Sequence, residues 1–289
     1  MTNSGQPSGF LLIDKPAGMS SFDMIRQLRK QTSVRAFGHA GTLDPFATGL
    51  MILAYNKYTR LLTLLETADK EYTATLILGT QTSTGDPEGE ITGTSEQVIT
   101  SEQIEDVKAQ VLQIKSLKPP LHSAIKVDGK RSYARARANE EFDLPERDSR
   151  VFTFEIVEYD YPKLVYACRV SKGTYIRSLS QFIAQALNTV GYTKELTRTA
   201  IAAISLKQAN RLDAITAQTL ESLSTPVHII LPDLESLALK GNELLRIRNG
   251  NPIANQGSDN SQILIFDEQQ VCHGYAVRKE NLLYPKVNI

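Results

Sequence analysis

The segment at residues 38–49, Gly-His-Ala-Gly-Thr-Leu-Asp-Pro-Phe-Ala-Thr-Gly, contains residue types that can do chemistry. Its glycines would let the backbone approach a ligand closely, and His39 brings a polar ring five residues before the carboxylate of Asp44. A histidine and a carboxylate can move a proton or bind a polar ligand, as in a hydrolase. Asp44 followed by Pro45 is also a common structural turn. The spacing alone therefore leaves a catalytic loop and a structural loop both open.

Charge is distributed unevenly along the chain, although 32 basic and 32 acidic residues give no net charge. Between residues 86 and 107 every charged residue is acidic, whereas between residues 115 and 137 all but Asp128 are basic. A second basic cluster contains Arg26, Arg29, Lys30 and Arg35. Basic stretches of this kind can follow a phosphate backbone, because phosphate neutralisation is the main source of affinity for nucleic acids. They can equally be solvated faces of the protein.

The composition is that of a globular protein, with 41% hydrophobic and 22% charged residues over 289 positions. The first ten residues lack the basic start and apolar run of a secretion signal, and no apolar stretch approaches the ~20 residues of a membrane span. We therefore expect a cytoplasmic protein without a membrane segment. Cys168 and Cys272 have no neighbours at metal-ligand spacing, so we expect reduced, packed thiols and neither a disulfide nor a zinc site.

Periodicity and capping residues predict the elements around this segment. A short buried strand begins at Phe10 and is stopped by Pro16, and Ser20 then caps a helix that reaches about Lys30. An apolar run at residues 50–54 follows the loop. Strands are predicted at residues 72–79, 151–159 and 164–170, and helices at residues 101–114, capped by Ser101, and after residues 171–177 to about Leu187.

The sequence divides into a large N-terminal part and a small C-terminal unit. Residues 242–289 are rich in short strands and turns, which indicates a small all-β unit after a link near residues 231–240. Residues 121–150 are polar, basic and weakly periodic, which is typical of a surface insertion that carries function. We predict one domain at residues 1–235, with the insertion at about 118–150, and a second at residues 241–289.

At residues 38–50 the sequence resembles the catalytic motif of the TruB family of transfer-RNA pseudouridine synthases, over a length that makes chance agreement improbable. The resemblance continues in order along the chain to about Ser205. Its other blocks are an opening strand and turn, a second block in two pieces, an RNA-gripping insertion and a third block, at residues 9–22, 70–74, 78–89, 119–131 and 171–179. Ala203-Ile204 departs from the family's glycine and phenylalanine, which bears on local packing only.

The resemblance implies an α+β fold, in which a mixed, mainly antiparallel sheet of the pseudouridine synthase fold carries an RNA-gripping insertion and a small C-terminal all-β domain similar to PUA domains. It implies that the chain isomerises uridine 55 in the T loop of transfer RNA after flipping the base out of its stack. Because the base is cut at N1 and rejoined at C5 without net redox change or hydrolysis, no metal or redox cofactor is expected. We expect the T arm of transfer RNA as partner, no obligate protein partner and a monomer.

By position, the resemblance assigns Asp44 as the catalytic aspartate, acting as nucleophile or as base. Arg177 matches the arginine that would pair with it and keep it charged where burial would otherwise raise its pKa. Tyr72 matches the tyrosine that stacks on the uracil and takes part in proton transfer. These three residues are therefore the expected catalytic set.

The resemblance also implies the residues that hold the substrate. His39 would contact RNA around the flipped base, and Tyr175 and Leu196 would join Tyr72 as walls of the uracil pocket. Without the resemblance, these tyrosines and this leucine would be interpreted as core residues. Lys15 matches a lysine of the opening block that would either support a turn or contact RNA. Phosphate contacts are expected from a basic group in the insertion, comprising Lys126, Lys130, Arg131, Arg135 and Arg137.

Two other functions remain open. One is a guide-RNA-dependent pseudouridine synthase, although such enzymes generally lack the basic insertion and carry a longer C-terminal RNA-binding domain. The other is an RNA chaperone that helps transfer RNA fold, with catalysis secondary. The intact set of Asp44, Tyr72 and Arg177 favours catalysis over binding alone.

Overall fold

The computed structural model describes residues 7–123, 126–127, 130–132 and 142–289, and at 126–127 and 130–131 it describes the backbone only. The strands are β1 Gly9–Lys15, β2 Phe37–His39, β3 Thr48–Tyr55, β4 Lys70–Leu78, β5 Thr80–Thr82, β6 Ile91–Thr94, β7 Ser116–Leu117, β8 Lys126–Val127, β9 Lys130–Arg131, β10 Arg147–Asp148, β11 Val151–Asp160, β12 Lys163–Val170, β13 Gly191–Ile201, β14 Ile204–Ser205, β15 Asn210–Arg211, β16 Glu235–Ala238, β17 Ile253–Ala254, β18 Gln262–Phe266, β19 Cys272–Lys279 and β20 Leu282–Asn288. The helices are α1 Ser21–Thr32, α2 Ser101–Leu112, α3 Ile176–Ala186, α4 Val227–Ile230 and α5 Gly241–Arg248, with 3₁₀ segments at Asn56–Leu65, Leu206–Gln208 and Leu212–Ala214.

A nine-stranded sheet forms the centre of the molecule. Its strand order is β11-β12-β4-β13-β3-β1-β15, with β14 added to β13 and β2 added to β3. The pairs β1·β15 and β13·β3 are parallel, and the other pairs are antiparallel. The predicted α+β fold with a mixed, mainly antiparallel sheet is therefore confirmed.

Strand β1 is buried on both faces, which explains why its sequence is continuously apolar rather than alternating. Leu11 and Ile13 face one core, and Phe10 and Leu12 face another. The first core lies between the sheet and the apolar faces of α1, α2 and α3. The second core joins the opposite face of the sheet to α4 and to the inward side chains of β18 in the C-terminal sheet. The loop that carries Asp44 is thus anchored between two packed layers.

Two helix caps show how far local sequence determines these elements. Ser20 caps α1 as predicted, and its hydroxyl accepts a hydrogen bond from the backbone N–H of Asp23. The prediction that Ser101 caps α2 is wrong. Thr100 is the cap, because Gln103 stands three residues later and its side chain accepts a hydrogen bond from the Thr100 N–H at 2.9 Å, which completes a capping box.

The C-terminal residues form a five-stranded sheet of order β16-β18-β19-β20-β17. The prediction of an all-β unit is wrong in one respect, because α5 is helical and buries Ile247 against this sheet. The sheet also takes in Glu235–Ala238, which pairs in parallel with β18. The division into domains at residues 235 and 241 stays a prediction.

A separate two-stranded sheet, β7 with β10, lies at the base of the insertion. Further out, β8 pairs with β9. Arg135 and Arg137 lie outside the described residues. At the departure from the family pattern, Ile204 is buried in the second core and pairs with Ile201, so the tight turn at 202–203 is accommodated. Within the described part of the chain, no helix is long and apolar enough to cross a membrane.

Candidate active site

The loop at residues 40–47 is fixed by hydrogen bonds to the start of α1. The Ser21 hydroxyl accepts from the Leu43 N–H at 3.0 Å and lies 3.1 Å from the Leu43 carbonyl. On the other side of Asp44, the Pro45 carbonyl accepts from the N–H of Gly18 at 2.9 Å. The carbonyl of Asp44 itself accepts from the Ala47 N–H at 3.1 Å, which closes the Asp-Pro turn. The turn signal in the sequence is therefore real, and it holds the carboxylate in one place.

Lys15 supports the same loop through hydrogen bonds from its side chain. Its side chain is fully buried, and Nζ donates to the carbonyls of Met19 at 2.7 Å, Pro16 at 2.9 Å and Pro45 at 3.3 Å. Burial lowers the pKa of Lys15 to about 8, against the opposing charge of Asp44. Of the two roles that the resemblance allowed for Lys15, support of the turn is the one that these contacts serve.

Arg177 joins two carboxylates at the start of α3. Its Nε lies 2.9 Å from Oδ2 of Asp44, and its Nη1 lies 3.0 Å from Oδ2 of Asp86. Nη1 and Nη2 also donate to the carbonyls of Thr84 and His122, each at 2.9 Å. Nε has no well-aligned acceptor among the described residues, so the contact with Asp44 is a charge pair rather than a straight hydrogen bond. A cation at a helix N-terminus opposes the helix dipole, and the two carboxylates compensate for it.

Asp86 is a residue of the candidate site that sequence reasoning missed. It stands in the acidic stretch after residue 85, yet its side chain is buried and is held by the Thr84 hydroxyl at 2.5 Å and the Glu88 N–H at 3.0 Å. The glycines and the proline at residues 85–89 predict a turn there. This turn could have indicated Asp86 from the sequence. When the backbone of the turn holds one oxygen of an aspartate, the other oxygen points in a single direction and can bind a partner.

The ionisation of Asp44 is balanced between burial and its neighbours. Burial raises the pKa of Asp44, Arg177 lowers it, and the nearby Asp86 raises it again. The net direction is upward, although the side chain keeps 31% of its surface accessible. Asp44 is thus deep in the protein yet reachable from one side, which suits a carboxylate that must act on a ligand.

A cavity of about 360 Å³ opens at that accessible side of Asp44. The residues that the resemblance assigned to substrate binding all line this cavity, namely His39, Tyr72, Tyr175 and Leu196. Arg177 contacts Asp44 and is not among the lining residues. The cavity is also lined by Lys70, Lys172 and Arg198, which were not assigned. A second cavity, of about 530 Å³ between Pro7 and residues 32–36, contains none of the assigned residues.

The two pocket tyrosines remain protonated at neutral pH. Burial raises the pKa of Tyr72, which is 8% exposed, and it also raises the pKa of Tyr175. Their phenols can therefore donate or accept hydrogen bonds and present flat apolar faces. Leu196 lies beside Tyr72 because β13 pairs with β4, where Leu196 is opposite Ala74 and Arg198 is opposite Tyr72. The pocket walls thus come from adjacent strands.

His39 presents a neutral ring to the cavity. Burial lowers the pKa of His39, and the charge of Arg198 lowers it further. Its Nδ1 is buried and has no hydrogen-bond partner among the described residues. The ring of His39 therefore lines the cavity, whereas its Nδ1 atom is shielded from solvent.

Strand β13 meets the loop that carries Asp44 at Gly49. This glycine has a φ of +105°, and a Cβ there would lie 2.4 Å from the carbonyl oxygen of Arg198. Only glycine permits this approach, which lets β3 pair in parallel with β13 directly after the loop. Among the described residues, no group of three or more metal-ligating side chains is found. The geometry provides the carboxylate of Asp44, paired with a buried arginine, beside a cavity with aromatic walls.

Comparisons with known proteins agree with this geometry. Residues 29–176 match the family model described as TruB family pseudouridylate synthase (N terminal domain). The chain is 37% identical over 258 residues to tRNA pseudouridine synthase B of Caulobacter vibrioides, which covers 85% of this chain and 81% of that protein. It is 33% identical over 286 residues to the protein of the same name from Dechloromonas aromatica, and this match covers 97% of this chain and 95% of that protein.

Solved structures show the same fold at lower identity. A chain in the crystal structure of a Cbf5-Nop10-Gar1 complex is 20% identical and superimposes with a TM-score of 0.73, covering 97% of this chain and 84% of that one. A chain of an H/ACA RNP bound to a substrate RNA containing 2'-deoxyuridine is 18% identical and superimposes with a TM-score of 0.71. The match covers 97% of this chain and 85% of that one. At this identity the likeness concerns the fold alone.

Proposed function

The chain belongs to the TruB family of pseudouridine synthases, and we propose on that basis that it isomerises uridine to pseudouridine in transfer RNA. The observation that carries the proposal is the position of Asp44, paired with Arg177 at 2.9 Å and open to a cavity walled by two tyrosines and Leu196. The names of relatives at 33% and 37% identity support transfer RNA as the substrate. The finer assignment is to uridine 55 of the T loop.

The reaction is an isomerisation, and its atoms balance without a second substrate. The bond between N1 of uracil and C1′ of ribose breaks, the base turns over, and a bond forms between C5 and C1′. The hydrogen on C5 leaves as a proton, and N1 gains a proton. A single carboxylate can act as nucleophile on the ribose or as base at the proton steps, and we assign this role to Asp44.

Arg177 keeps Asp44 ready for that role. Its charge opposes the effect of burial on the pKa of Asp44, so more of the carboxyl is ionised near neutral pH than burial alone would allow. The rigid guanidinium also fixes the carboxylate direction, because its other nitrogens are held by Asp86 and by two carbonyls. Arg177 is thus a partner of the catalytic group.

The cavity would hold the uracil after it has left its stack. Tyr72 and Leu196 come from neighbouring strands and would contact the ring faces, and Tyr175 closes the site from the start of α3. We assign Tyr72 to stacking and, through its neutral phenol, to proton transfer. His39, whose ring lines the cavity, would contact the RNA around the flipped base.

The insertion would grip the RNA outside the pocket. Its basic group was predicted from sequence, and the strand pair Lys126–Val127 with Lys130–Arg131 places three of its members close together along the backbone. We propose phosphate contacts for this group as a whole. A monomer acting in the cytoplasm without a protein partner completes the proposal.

The experiment is to incubate the purified protein alone with an unmodified transfer-RNA transcript and to map pseudouridine. Conversion at the T-loop uridine without any added guide RNA is expected. A matched transcript with cytidine at that position should remain unmodified. Conversion only after a guide RNA is added would favour the guide-dependent alternative, and binding without conversion would favour an RNA chaperone.

A further inference from the structure

Three cations, Lys70, Arg198 and Lys172, line the cavity away from the Asp44–Arg177 pair. Lys70 is the first residue of β4, Arg198 lies in β13, and Lys172 follows β12. The strand pairing brings them together, because Lys70 is opposite both Val170 and Ile201. None of the three has a role in the function proposed above.

Arg198 is a buried cation that is held by backbone groups. It is 1% exposed, and its nitrogens donate to the carbonyls of Leu50 at 2.7 Å and Gly41 at 3.2 Å. Among the described residues it forms no ion pair with a carboxylate. A buried charge without a counterion is costly. The arginine therefore fixes the loop and leaves a net positive charge at the cavity wall.

Lys70 adds a second buried cation of the same kind. It is 9% exposed, and Nζ donates to the carbonyl of Ala68 at 2.6 Å. The neighbouring carboxylate of Asp69 is already paired with Arg169 at 2.8 Å. Burial lowers the pKa of Lys70 to about 8, and the charges of Arg198 and Lys172 contribute to this. Among described residues, Lys70 too lacks a carboxylate in ion-pair contact, and Glu66, which also lines the cavity, is exposed.

Gly41 lies beside both of these cations and lines the cavity with them. Its φ is +110°, and a Cβ built on it would lie 3.6 Å from Nη1 of Arg198 and 3.7 Å from Cε of Lys70. The loop therefore presents backbone alone at the point where both cations converge. Gly41 is three residues before Asp44, so the two α-carbons are at most about 11 Å apart. A single nucleotide can reach from one to the other.

We infer that Lys70, Arg198 and Lys172 form an anion pocket that binds a phosphodiester group next to the target uridine. This inference rests on the proposed function, since it takes the uracil to occupy the cavity at Asp44. The phosphate supplies the missing counterion, and charge-assisted hydrogen bonds to buried cations are the strong ones. The pocket thus positions the flipped nucleotide by its backbone while Tyr72 and Leu196 hold its base.

The test uses T-arm RNA hairpins in which one phosphodiester is replaced by an uncharged methylphosphonate. The replacement is made 5′ of the target uridine, 3′ of it, or in the distal stem as a control, and the dissociation constant is measured by fluorescence anisotropy. For the unaltered protein, one of the two flanking replacements should weaken binding about tenfold or more, as expected when a charge-assisted hydrogen bond is removed. The distal replacement should raise the dissociation constant less than about threefold, which is under a third of the flanking effect.

Protein variants assign the effect to the pocket. The penalty is the factor by which the flanking replacement raises the dissociation constant. In Lys70→Met this penalty should be at least threefold smaller than in the unaltered protein, since one phosphate partner is already absent. In Lys207→Met, an exposed lysine outside the cavity, the penalty should be unchanged. Equal penalties in Lys70→Met and the unaltered protein, or no penalty at either flanking position, would overturn the inference. The second result needs no variant and does not depend on how Lys70→Met folds.

Failure of the inference and failure of the proposed function are distinguishable. Conversion of the unmodified hairpin by the unaltered protein tests the function and involves no phosphate replacement. A protein that converts the hairpin but tolerates both flanking replacements retains the function and lacks the pocket. A further arm adds inorganic phosphate, which should compete with the natural hairpin and compete at least threefold less with the hairpin that carries the neutral flanking group. Equal competition with both hairpins would show that phosphate acts elsewhere, and would contradict the pocket.

Discussion

Arg177 is buried against Asp86, with Nη1 3.0 Å from Oδ2 of the carboxylate, and this contact spans 91 positions of the sequence. The same guanidinium faces Asp44 with its Nε. Asp86 thus sets the direction from which Arg177 reaches the carboxylate of Asp44.

Replacing Asp86 should therefore damage both stability and activity. In Asp86→Asn the buried guanidinium loses one of its two carboxylates, and a broken buried ion pair costs about 3 kcal/mol. Displacement of Arg177 should lower kcat about 10²-fold. Urea unfolding and initial rates check this, with Asp213→Asn as control because that pair with Arg211 is exposed. Normal kcat in Asp86→Asn would exclude a positioning role.

The raised pKa of Asp44 predicts a trade between activity and stability. The ionised carboxyl is disfavoured by the fold, so its destabilising effect is absent below the ordinary pKa of 3.8 and fully present above the raised pKa. Asp44→Asn should therefore gain stability relative to the unaltered protein as pH rises through that interval. Activity of the unaltered protein should rise over the same interval, because the ionised form is the reactive one. Unfolding at a series of pH values measures this, and a variant that loses relative stability with rising pH would contradict it.

Gly49 should be irreplaceable for two separable reasons. Gly49→Ala combines a positive φ with a Cβ placed 2.4 Å from the Arg198 carbonyl, and it should destabilise the fold by about 3 kcal/mol or more. Gly250→Ala is a matched control, since Gly250 has a φ of +84° but open space around it. Its cost should be about 1 kcal/mol. Urea unfolding measures both losses of stability. If Gly49→Ala and Gly250→Ala lowered the free energy of unfolding by similar amounts, the approach of β13 to the loop would not be tight.

The basic insertion should contribute to RNA binding mainly through its positive charge. Neutralising Lys126, Lys130 and Arg131 together should weaken RNA binding and flatten its dependence on salt. The slope of log K against log salt should fall by about 2, because each single-stranded phosphate that the protein no longer neutralises lowers it by ~0.7. A control with Lys207→Gln should keep the original slope. An unchanged slope in the triple variant would count against phosphate binding by the insertion.

Sequence was sufficient for features that depend on local pattern or on the family motif. The apolar run that begins at Phe10 predicted a short buried strand, which is β1, and Ser20 marked the start of α1. The motif around Asp44 led to Arg177, and the structure places the two in contact. These features follow from residues that are neighbours in sequence or that share one long resemblance.

Features created by contacts between distant strands could not be predicted. Asp86 is one of seven acidic residues between positions 86 and 107. The turn around it could have indicated a fixed carboxylate, but only the approach of α3 makes it a buried partner of Arg177. Arg198 and Lys70 are charged residues in strands, and their burial follows from the pairing of β13 with β4 and from the backbone of the loop that carries Asp44. The helix α5 was missed because turn residues flank it closely on its C-terminal side.

The most direct test of the account is the release of tritium from a transfer-RNA transcript labelled at C5 of uridine. Formation of pseudouridine must release the C5 hydrogen, so the unaltered protein should release label in proportion to product. Asp44→Asn should bind the transcript and release none above background, while Asp213→Asn should match the unaltered protein. Release by a folded Asp44→Asn protein at more than about 1% of the normal rate, which corresponds to less than about 2.7 kcal/mol of lost transition-state stabilisation, would contradict the assignment of Asp44 as the essential carboxylate.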